Sequence, residues 1–397
     1  LGPLAAHLLT GSMIVESVFN ISGAGSVFVN AIQNRDAFLL CGAVVIYCSL
    51  LIVFNFIVDL LYSVLDKRIR LDAPKSPALT RPDGWSIVQR NRPAMISLIF
   101  LVAVVLIAFT VPFFLPEALK STSSGAFLPP LSKGAEAAVT HLCGTDKNGQ
   151  DLFYRLLTGA QVSLGVGMVG AVISLIIGTL YGMISGYCGG RVDAFMMRAV
   201  DMLYAVPRIL FIMIFIAAFD SVFKDWLDAL RLWAQECQWL WLEGAARYLI
   251  PYSKILVMIL SLGLVEWLTM ARIIRGQVLV LRELTFVTAA RAMGQGGWAI
   301  LTKHLLPNLS TIILTYLTLT IPAVILDESF LSFLGLGIED PAASWGSLLK
   351  DGAQVINPIE SKWWLLAFPA TLMSLSLLAL NFLGDGLRDA FDPKSAD

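Results

Sequence analysis

The sequence SLGVGMVGAVISLIIGTLYGMIS, residues 163–185, contains no charged side chain and is apolar along most of its length. A helix needs about 20 apolar residues to cross a hydrocarbon core of about 30 Å. Because a backbone in lipid must satisfy its hydrogen bonds internally, such a stretch predicts a membrane-spanning helix. This run decides the class of fold.

Small residues recur at helical spacing in this run and just beyond it. Gly178, Gly182 and Gly186 lie four residues apart, and Ser163 and Gly167 repeat the spacing. Small residues on one face let two helices approach closely in a membrane. We therefore expect this span to pack tightly against a neighbouring helix.

Further apolar runs lie on both sides. They are near residues 1–19, 40–62, 94–116, 199–219, 255–274, 309–335 and 363–384. Of the 397 residues, 57% are hydrophobic and 14% are charged, which excludes a soluble fold. We expect an all-α polytopic membrane protein of about seven to eight spans, and we interpret run 1–19 as the remnant of a span whose beginning is missing.

The distribution of charge predicts the orientation. Residues 63–93 carry seven Lys or Arg, and residues 272–303 carry five against one Glu. Residues 336–362 carry two Lys against four acidic residues. Since basic loops remain in the cytoplasm, we expect 63–93, 275–308 and the C-terminus inside, and 117–162, 220–254 and 336–362 outside.

An internal repeat predicts the domain organisation. Glu16-Ser17 precedes Gly23-x-Gly25 as Glu328-Ser329 precedes Gly335-x-Gly337, and an Asn-Phe-x-x-Asp follows each, from Asn55 and from Asn381. The repeat predicts two homologous membrane subunits joined head to tail. Residues 1–72 would be the last two spans of one, 73–93 a cytoplasmic linker, and 94–397 a six-span copy with a coupling loop at 276–308.

That loop contains TAARAMGQGGWAILTKHLLPN, residues 288–308. Residues 277–293 have the composition of a helix, GQGG at 294–297 breaks it, WAILTKHL predicts a second short helix, and Pro307 is expected to end it. Small Ala289 and Ala290 among apolar side chains indicate a surface on which a partner docks. A packed intracellular loop is the alternative.

The segment resembles the EAA loop of permease subunits of ATP-binding-cassette (ABC) importers. The corresponding positions are Thr288, Ala289, Ala290, Gly294, His304, Leu306 and Pro307. FVTAARAMG and KHLLPN resemble the C-type subunit of the oligopeptide/dipeptide permease family, as do DMLYAVP (201–207) and DESFLSFLGLG (327–337). TGSMIVE (10–16) and LDKRIR (65–70) resemble the end of a B-type subunit.

The resemblance implies a type I ABC importer transmembrane fold in the bacterial cytoplasmic (inner) membrane. It implies as partners two ABC ATPase subunits, a B-type permease, an extracytoplasmic peptide-binding protein and membrane lipid, with no nucleic acid. The sequence has no G-x-x-x-x-G-K-[ST] phosphate loop. The chain is therefore expected to be a permease and not an enzyme, without a cofactor of its own, while ATP and Mg are used by the partner ATPases.

Two features depart from the family pattern. Thr288 stands where the motif usually has Glu, which removes a charge and leaves Glu283 as the nearest carboxylate. The Trp-rich stretch 225–250 looks like an insertion in an outer loop. Its aromatic residues recur at helical spacing, so we expect an amphipathic helix on the outer leaflet or on a neighbour.

Carboxylates within apolar runs are the candidates for a path through the membrane. Asp327 and Glu328 are expected near the outer mouth, because Gly335 and Gly337 end their span soon afterwards, and Glu16 is the repeat counterpart of Glu328. Each charge costs about 2.5–3.5 kcal/mol at the midplane, so they should face a cavity, a partner or an interface. A translocation path or outer gate is one interpretation, and structural hydrogen bonding is the other.

Other chemistries have little support. The five Cys form no CxxC, and His7, His141 and His304 are dispersed, so we expect neither a metal site nor a proton relay. GTDKNGQD (144–151) is interpreted as a structural outer turn. An intramembrane enzyme would need a catalytic pair or HExxH, and none is recognisable. A gradient-driven secondary transporter would explain the repeat but not the 288–308 segment.

Overall fold

The computed structural model describes residues 31, 39, 42, 91–116, 119, 125–133, 140–204, 206, 208–338, 342–355 and 362–391. The chain divides into two compact units. The larger comprises Thr80–Met197 with Ile212–Asp397, and the smaller comprises Leu1–Leu79 with Arg198–Phe211.

Helices make up almost all of the described structure. They are α1 Arg92–Phe114, α2 Leu152–Cys188, α3 Gly190–Tyr204, α4 Arg208–Glu236, α5 Leu240–Leu249, α6 Ser253–Leu281, α7 Thr285–Ala292, α8 Gly297–Ile300, α9 Leu306–Phe333, α10 Trp345–Val355 and α11 Trp364–Phe391. A 3-10 turn, Ile250–Tyr252, links α5 to α6, and a π-helical segment, Leu301–Leu305, links α8 to α9. Strands β1 Ser132–Lys133 and β2 Thr140–His141 pair antiparallel, Ser132 with His141 and Lys133 with Thr140.

The membrane spans predicted from the sequence are largely confirmed. Within the described ranges, five helical stretches are long and apolar enough to cross a bilayer, and α3 with α4 would make a sixth. The five are Arg92–Phe114, Leu152–Cys188, Leu240–Leu281, Gly297–Phe333 and Trp364–Asp389. The all-α polytopic class is thus confirmed, whereas the runs at 1–19 and 40–62 lie outside the described residues, apart from Gly42.

The longest single helix, α2, has well-defined ends. Asp151 caps its start, because the carboxylate accepts the Tyr154 N–H at 2.8 Å, and Gly189 at φ 64° ends it in a conformation that favours glycine. At about 1.5 Å per residue, its 37 residues extend about 55 Å. The helix therefore projects beyond a hydrocarbon core of about 30 Å.

The predicted glycine face of α2 is confirmed as its contact with α6. A methyl group on Gly182 would lie 2.5 Å from the Ala271 carbonyl oxygen, and one on Gly178 would lie 2.8 Å from that of Trp267. Gly186 faces Val278 one turn further on. The two backbones approach so closely that no side chain fits between them at these levels.

On another face, α2 packs against α9, α10 and α1. Gly170 faces Val324 of α9, and Gly159 faces the start of α10. From the side chain of Gln161, an N–H donates to the carbonyl of Ala108 in α1 at 2.6 Å. The helix α11 in turn packs against α1, α9 and α10. These contacts make α2 the central helix of the larger unit.

The predicted helix end at Pro307 is wrong. Gly297–Phe333 is one continuous helical stretch, in which Pro307 is near the start of α9. In an α-helix, proline lacks a donor and clashes with the carbonyl four residues before it. The preceding turn widens into the π-helical Leu301–Leu305, where the Leu306 N–H donates to the Leu301 carbonyl five residues back. The wider turn gives the ring room.

The Trp-rich stretch forms two helical elements instead of one. α4 continues to Glu236, a turn follows in which Gln238 has φ 57°, and α5 begins at Leu240. The Trp233 and Trp239 rings meet edge to face across this turn, with centroids 5.4 Å apart. The helical and amphipathic character is as expected, but the break at 237–239 was not predicted.

Replacing Gly182 with Ala should force α2 and α6 apart. The added methyl would overlap backbone atoms, and overpacking of this kind costs about 1–3 kcal/mol. We expect a lower midpoint in thermal unfolding of the detergent-solubilised chain, followed by size-exclusion chromatography. Gly165 in the same helix is the matched control, because a methyl there meets nothing within 4 Å. Equal midpoints for Gly182→Ala and Gly165→Ala would contradict the tight α2–α6 contact.

Candidate functional site

The candidate coupling segment, residues 285–308, consists of α7, a turn, α8, the π-helical segment and the start of α9. The turn is made by Gly294 at φ 78°, with the Gly294 N–H donating to the Arg291 carbonyl and the Gln295 N–H to the Ala290 carbonyl. A methyl on Gly294 would meet nothing within 4 Å, so its glycine is needed for backbone conformation alone. The predicted break at 294–297 is confirmed.

The predicted single helix over 277–293 is wrong, because it is interrupted at residues 282–284. α6 ends at Leu281 and α7 begins at Thr285, with Leu284 extended at φ -74° and ψ 152°. The guanidinium of Arg282 turns back to donate to the Gly186 carbonyl at 2.8 Å. This tertiary bond holds the chain at the point where it turns.

One face of the segment is buried in the chain's own core. Val287, Ala290, Ile300 and Leu305 are each no more than 1% exposed. They form one cluster with Met183 of α2, Met270, Ile274 and Val278 of α6, and Leu301 and Leu309. Ala290, expected on a docking surface, is therefore buried together with Val287, because the helical phase of α7 turns both side chains inward.

The opposite face of the segment is open. Thr288 and Ala289 are exposed, Met293 is 72% exposed and Trp298 is 64% exposed. Two large apolar side chains thus stand beside a small Ala on a surface that the described residues leave uncovered. Such a surface can receive a partner with a complementary apolar groove.

Thr288 satisfies its own hydroxyl within α7. Its Oγ1 donates to the Thr285 carbonyl at 2.9 Å. The nearest carboxylate, that of Glu283, accepts from the Arg282 guanidinium at 3.0 Å. The position where the family motif usually has Glu therefore carries no charge. The charge of Glu283 is paired with Arg282.

The remaining predicted positions brace the segment. The Nε2 atom of His304 lies 2.8 Å from Gln295 Oε1, which ties the π-helical segment to the turn. Leu306 and Pro307 are exposed and line an apolar groove on α9 together with Leu175 of α2. The structure therefore brings His304 next to the turn at Gly294, through the hydrogen bond to Gln295. Leu306 and Pro307 lie on a separate surface.

A polar clamp joins the ends of α2, α3 and α6 beside this segment. It consists of Ser185, Gly186, Asp193, Arg275 and Arg282. Arg275 donates to both carboxylate oxygens of Asp193 at 2.6 Å, and the Ser185 hydroxyl donates to the same carboxylate at 2.6 Å. Such two-pronged, charge-assisted bonds fix orientation as well as distance.

Tyr187 connects this clamp to the candidate coupling segment. Its ring lies under the Arg291 guanidinium, 5.0 Å from the centroid, and contacts the backbone at Gly297. Both sides of the 293–296 turn therefore touch one aromatic ring at the end of α2. A displacement of α7 would be transmitted directly to α2 and α6.

The polar clamp could not be predicted from the sequence. Asp193 and Arg275 are 82 residues apart. The Arg residues near the end of α6 indicate that an acidic partner is needed. Which carboxylate pairs with Arg275 is visible only in the folded chain.

Glu328, a candidate for the path, is fully buried inside the larger unit. Its carboxylate accepts hydrogen bonds from the hydroxyls of Ser332 at 2.7 Å, Ser163 at 3.1 Å and Ser329 at 3.2 Å. The Ser163 hydroxyl oxygen also accepts a hydrogen bond from the backbone N–H of Trp345 at 3.1 Å, which joins α10 to this network. These bonds favour the structural interpretation of Glu328. Asp327 is 6% exposed, and Glu16 lies outside the described residues, so the path or gate stays a prediction.

The loop 140–151 is a structured polar network. Asp146 pairs with Arg155 at 2.5 Å and its other oxygen accepts two backbone N–H groups at 2.8 Å. His141 Nδ1 lies 2.8 Å from Asp151, the cap of α2. Lys147 Nζ forms a salt bridge with Asp351 Oδ1 of α10 at 2.6 Å. This agrees with the interpretation of GTDKNGQD as a structural turn and adds its tie to α10, which the sequence did not reveal.

The thiol of Cys143 in this loop is poorly reactive. Burial, and secondarily the nearby Asp151 carboxylate, raise its pKa to about 11. Since a thiolate is the reactive form, Cys143 stays protonated and unreactive at neutral pH.

Family models match most of the chain. The model described as a binding-protein-dependent transport system inner membrane component matches residues 1–71 and 178–397. A second model, described as the N-terminal transmembrane domain of oligopeptide transport permease C, matches residues 83–130.

Individual relatives align with this chain over most of their own length. The dipeptide transport system permease protein DppC of Bacillus subtilis is 37% identical over 331 residues, which is 83% of this chain and 91% of that protein. The oligopeptide transport system permease proteins OppC of Haemophilus influenzae and of Escherichia coli K12 are each 38% identical. They match over 305 and 304 residues, 77% of this chain in both cases and 86% and 88% of those proteins.

Reversing one charge of the polar clamp should destabilise the chain, and reversing both should restore part of the loss. Asp193→Arg places like charges together and removes charge-assisted hydrogen bonds worth about 1.5–3 kcal/mol. We expect Asp193→Arg and Arg275→Asp each to lower the thermal midpoint, and the double variant to recover part of it. The exposed Glu283→Gln, which removes a surface pair worth less than about 1 kcal/mol, is the control. Additive losses in the double variant would show that the pair is not coupled.

Proposed function

This chain belongs to the family of inner membrane components of binding-protein-dependent transport systems, and from that premise we propose that it imports peptides across the bacterial inner membrane. It would form part of the translocation path and couple that path to ATP hydrolysis by separate subunits. The observation that carries this proposal is the candidate coupling segment, which has one face locked into α2 and α6 and the other face open.

The geometry supports transmission of force through this segment. A partner that moves Ala289, Met293 and Trp298 pushes on a unit whose inner side is packed against two membrane-spanning helices. Tyr187 and the polar clamp resist sliding at that contact. Because packed interiors are stiff, movement of the exposed face is expected to shift α2 and α6 and not to be absorbed locally.

The partners follow from the proposal. We infer two ABC ATPase subunits on the open face, a B-type permease beside the chain in lipid, and an extracytoplasmic peptide-binding protein. ATP and Mg would be used by the ATPases, and the chain would hold no cofactor. The relatives are named as dipeptide and oligopeptide permeases, which supports peptides as the substrate class.

We also infer two permease portions in one chain. Residues 1–72 would correspond to the end of a B-type subunit, 73–93 to a cytoplasmic linker, and 94–397 to a C-type subunit. The family match to residues 1–71 supports the first portion. The permease C model matches residues 83–130, which supports a C-type portion whose start lies within the 73–93 segment.

Neighbouring alanines give a sharp test of the coupling segment. Cys substituted at exposed Ala289 should crosslink to a co-expressed ABC ATPase subunit in membranes, with a yield that changes on adding ATP. Cys at Ala290 should not crosslink, because that side chain is 1% exposed. The two positions share the same backbone environment, so the contrast isolates the direction of the side chain.

The outcome of the crosslink decides between two classes of transporter. A folded Ala289→Cys chain that never crosslinks to an ATPase would remove the coupling interpretation. Peptide uptake that persists without any ATPase subunit, and collapses with the proton or sodium gradient, would establish the gradient-driven alternative.

Native cysteines test the proposed orientation. Cys188 at the end of α2 and Cys237 between α4 and α5 are both exposed. In spheroplasts at pH 7, a membrane-impermeant maleimide should label Cys188 only after permeabilisation. A Cys placed at the exposed Gln235 of α4, with Cys237 replaced by Ala, should be labelled from outside. Cys41 and Cys48 are replaced by Ala, and Cys143 contributes little because its pKa is about 11. Labelling of Cys188 in intact spheroplasts would reverse the predicted topology.

A further inference from the structure

An exposed aromatic surface lies where α4 turns into α5 and α6. We define this aromatic corner as Trp226, Trp233, Trp239, Leu240, Trp241, Tyr248 and Tyr252. Their exposed fractions range from 40% at Tyr252 to 80% at Leu240. Four of the 10 Trp of the chain lie in this one surface. Isolated exposed apolar residues are ordinary, but a continuous band of this size indicates a binding surface.

The band occupies one face of α4. Val222, Trp226 and Trp233 are exposed and recur at spacings of four and seven residues, which places them on one side of the helix. Charged Lys224 and Arg231 lie half a turn away, on the opposite side. The C-terminal part of α4 is therefore amphipathic, with an exposed aromatic side and an opposite side that carries the exposed Lys224 and the half-buried Arg231.

The band continues through the turn and along α5. Trp239 meets Trp233 edge to face and stacks with Trp241 at 6.3 Å. On α5, Trp241 and Tyr248 lie seven residues apart on one exposed side, while Ala246 on the other side is buried. Tyr252 follows Tyr248, with ring centroids 5.6 Å apart. The rings thus form two contacting groups, Trp233–Trp239–Trp241 and Tyr248–Tyr252, between the end of α4 and the 3-10 turn that precedes α6.

The position of the band indicates what covers it. The stretch from Leu240 to Leu281 is apolar enough to span the membrane, and the band sits at its beginning. Trp and Tyr are enriched where hydrocarbon meets headgroups, since each combines an apolar ring with one polar group. An aromatic band continuous with a span, backed by a charged face, fits the interfacial layer of the bilayer.

We propose that the aromatic corner lies in the bilayer interface and anchors the end of α6 that is farther from the candidate coupling segment. Lipid headgroups and the upper acyl chains are its ligand. α6 runs from this corner to Arg282 in the polar clamp. The anchor gives that helix a fixed end in the membrane, while the other end carries the coupling segment. The proposal requires only that the chain spans a membrane and does not depend on which solute is carried.

Depth-resolved spin labelling tests the proposal on the full chain. A nitroxide is placed at Leu240, in a background without other reactive Cys, and the chain is reconstituted in nanodiscs of phosphatidylethanolamine and phosphatidylglycerol. Power saturation with oxygen and with a water-soluble nickel chelate then reports depth. We expect oxygen to reach the label severalfold better than the nickel chelate, at a depth of about 5–10 Å into the boundary between headgroups and acyl chains.

Gln235 supplies the matched control. It is exposed on α4 at half a turn from Trp226, on the charged side, so its label should favour the nickel chelate. Equal access of the nickel chelate to labels at 240 and 235 would place the whole corner in water and overturn the proposal.

A Trp-to-Ser variant separates lipid from protein as the occupant. Replacing Trp226, Trp233, Trp239 and Trp241 by Ser should raise nickel access at position 240 severalfold, because the rings that hold the corner in the interface are lost. If access at 240 stays unchanged and the variant instead loses affinity for an extracytoplasmic binding protein, the surface docks that protein and the lipid anchor is wrong. Size-exclusion chromatography monitors folding of the fourfold variant. If that variant does not fold, the same measurement is made on the single variant Trp241→Ser, which retains three of the four Trp.

Discussion

The contact between α2 and α6 is the constraint on which the larger unit depends. In lipid, helices gain no hydrophobic free energy from meeting each other, so close packing and polar bonds must hold them together. Gly178, Gly182 and Gly186 provide that packing, because each stands where a methyl would overlap α6. At the end of the same contact, the polar clamp adds charge-assisted bonds from Arg275 to Asp193. The candidate coupling segment is built directly onto this pair of helices.

A second set of polar contacts stabilises the N-terminal half of α2, at Ser163. A buried carboxylate is costly unless its oxygens are satisfied, and Glu328 is surrounded by the hydroxyls of Ser163, Ser329 and Ser332. Ser163 stands on the small-residue face that Gly167 continues, so the same feature admits close packing and a hydrogen bond. Because Ser163 also accepts the Trp345 N–H, α2, α9 and α10 meet at one point. The fold thus uses small residues along the length of α2 to bring neighbours within bonding distance.

The sequence predicts the features that depend on local spacing. The apolar runs at 94–116, 163–185, 255–274, 309–335 and 363–384, the glycine face and the turn at Gly294 were correct, since each follows from composition or from one helical period. The run at 199–219 is instead divided between α3 and α4. The sequence alone could not assign Ala290 to the core or Ala289 to the surface. The break at 282–284 separates α7 from α6, so the direction of the α7 side chains does not follow from the helical period of α6. The prediction that the helix ends at Pro307 was wrong because the composition of a sequence does not reveal a π-helical turn. The pairing of Asp193 with Arg275, and of Lys147 with Asp351, depends on tertiary structure that one sequence does not contain.

The candidate coupling segment has little freedom to move by itself. Only residues 282–284 separate α6 from α7, and the Arg282 guanidinium is bound to the Gly186 carbonyl. Beyond α7, Gln295 is tied to His304, and Tyr187 contacts both sides of the intervening turn. The buried side chains of α7 share one core with Met183, Ile274 and Leu309. A force on the exposed face therefore meets α2, α6 and α9 together, because no described joint between them is long enough to absorb it.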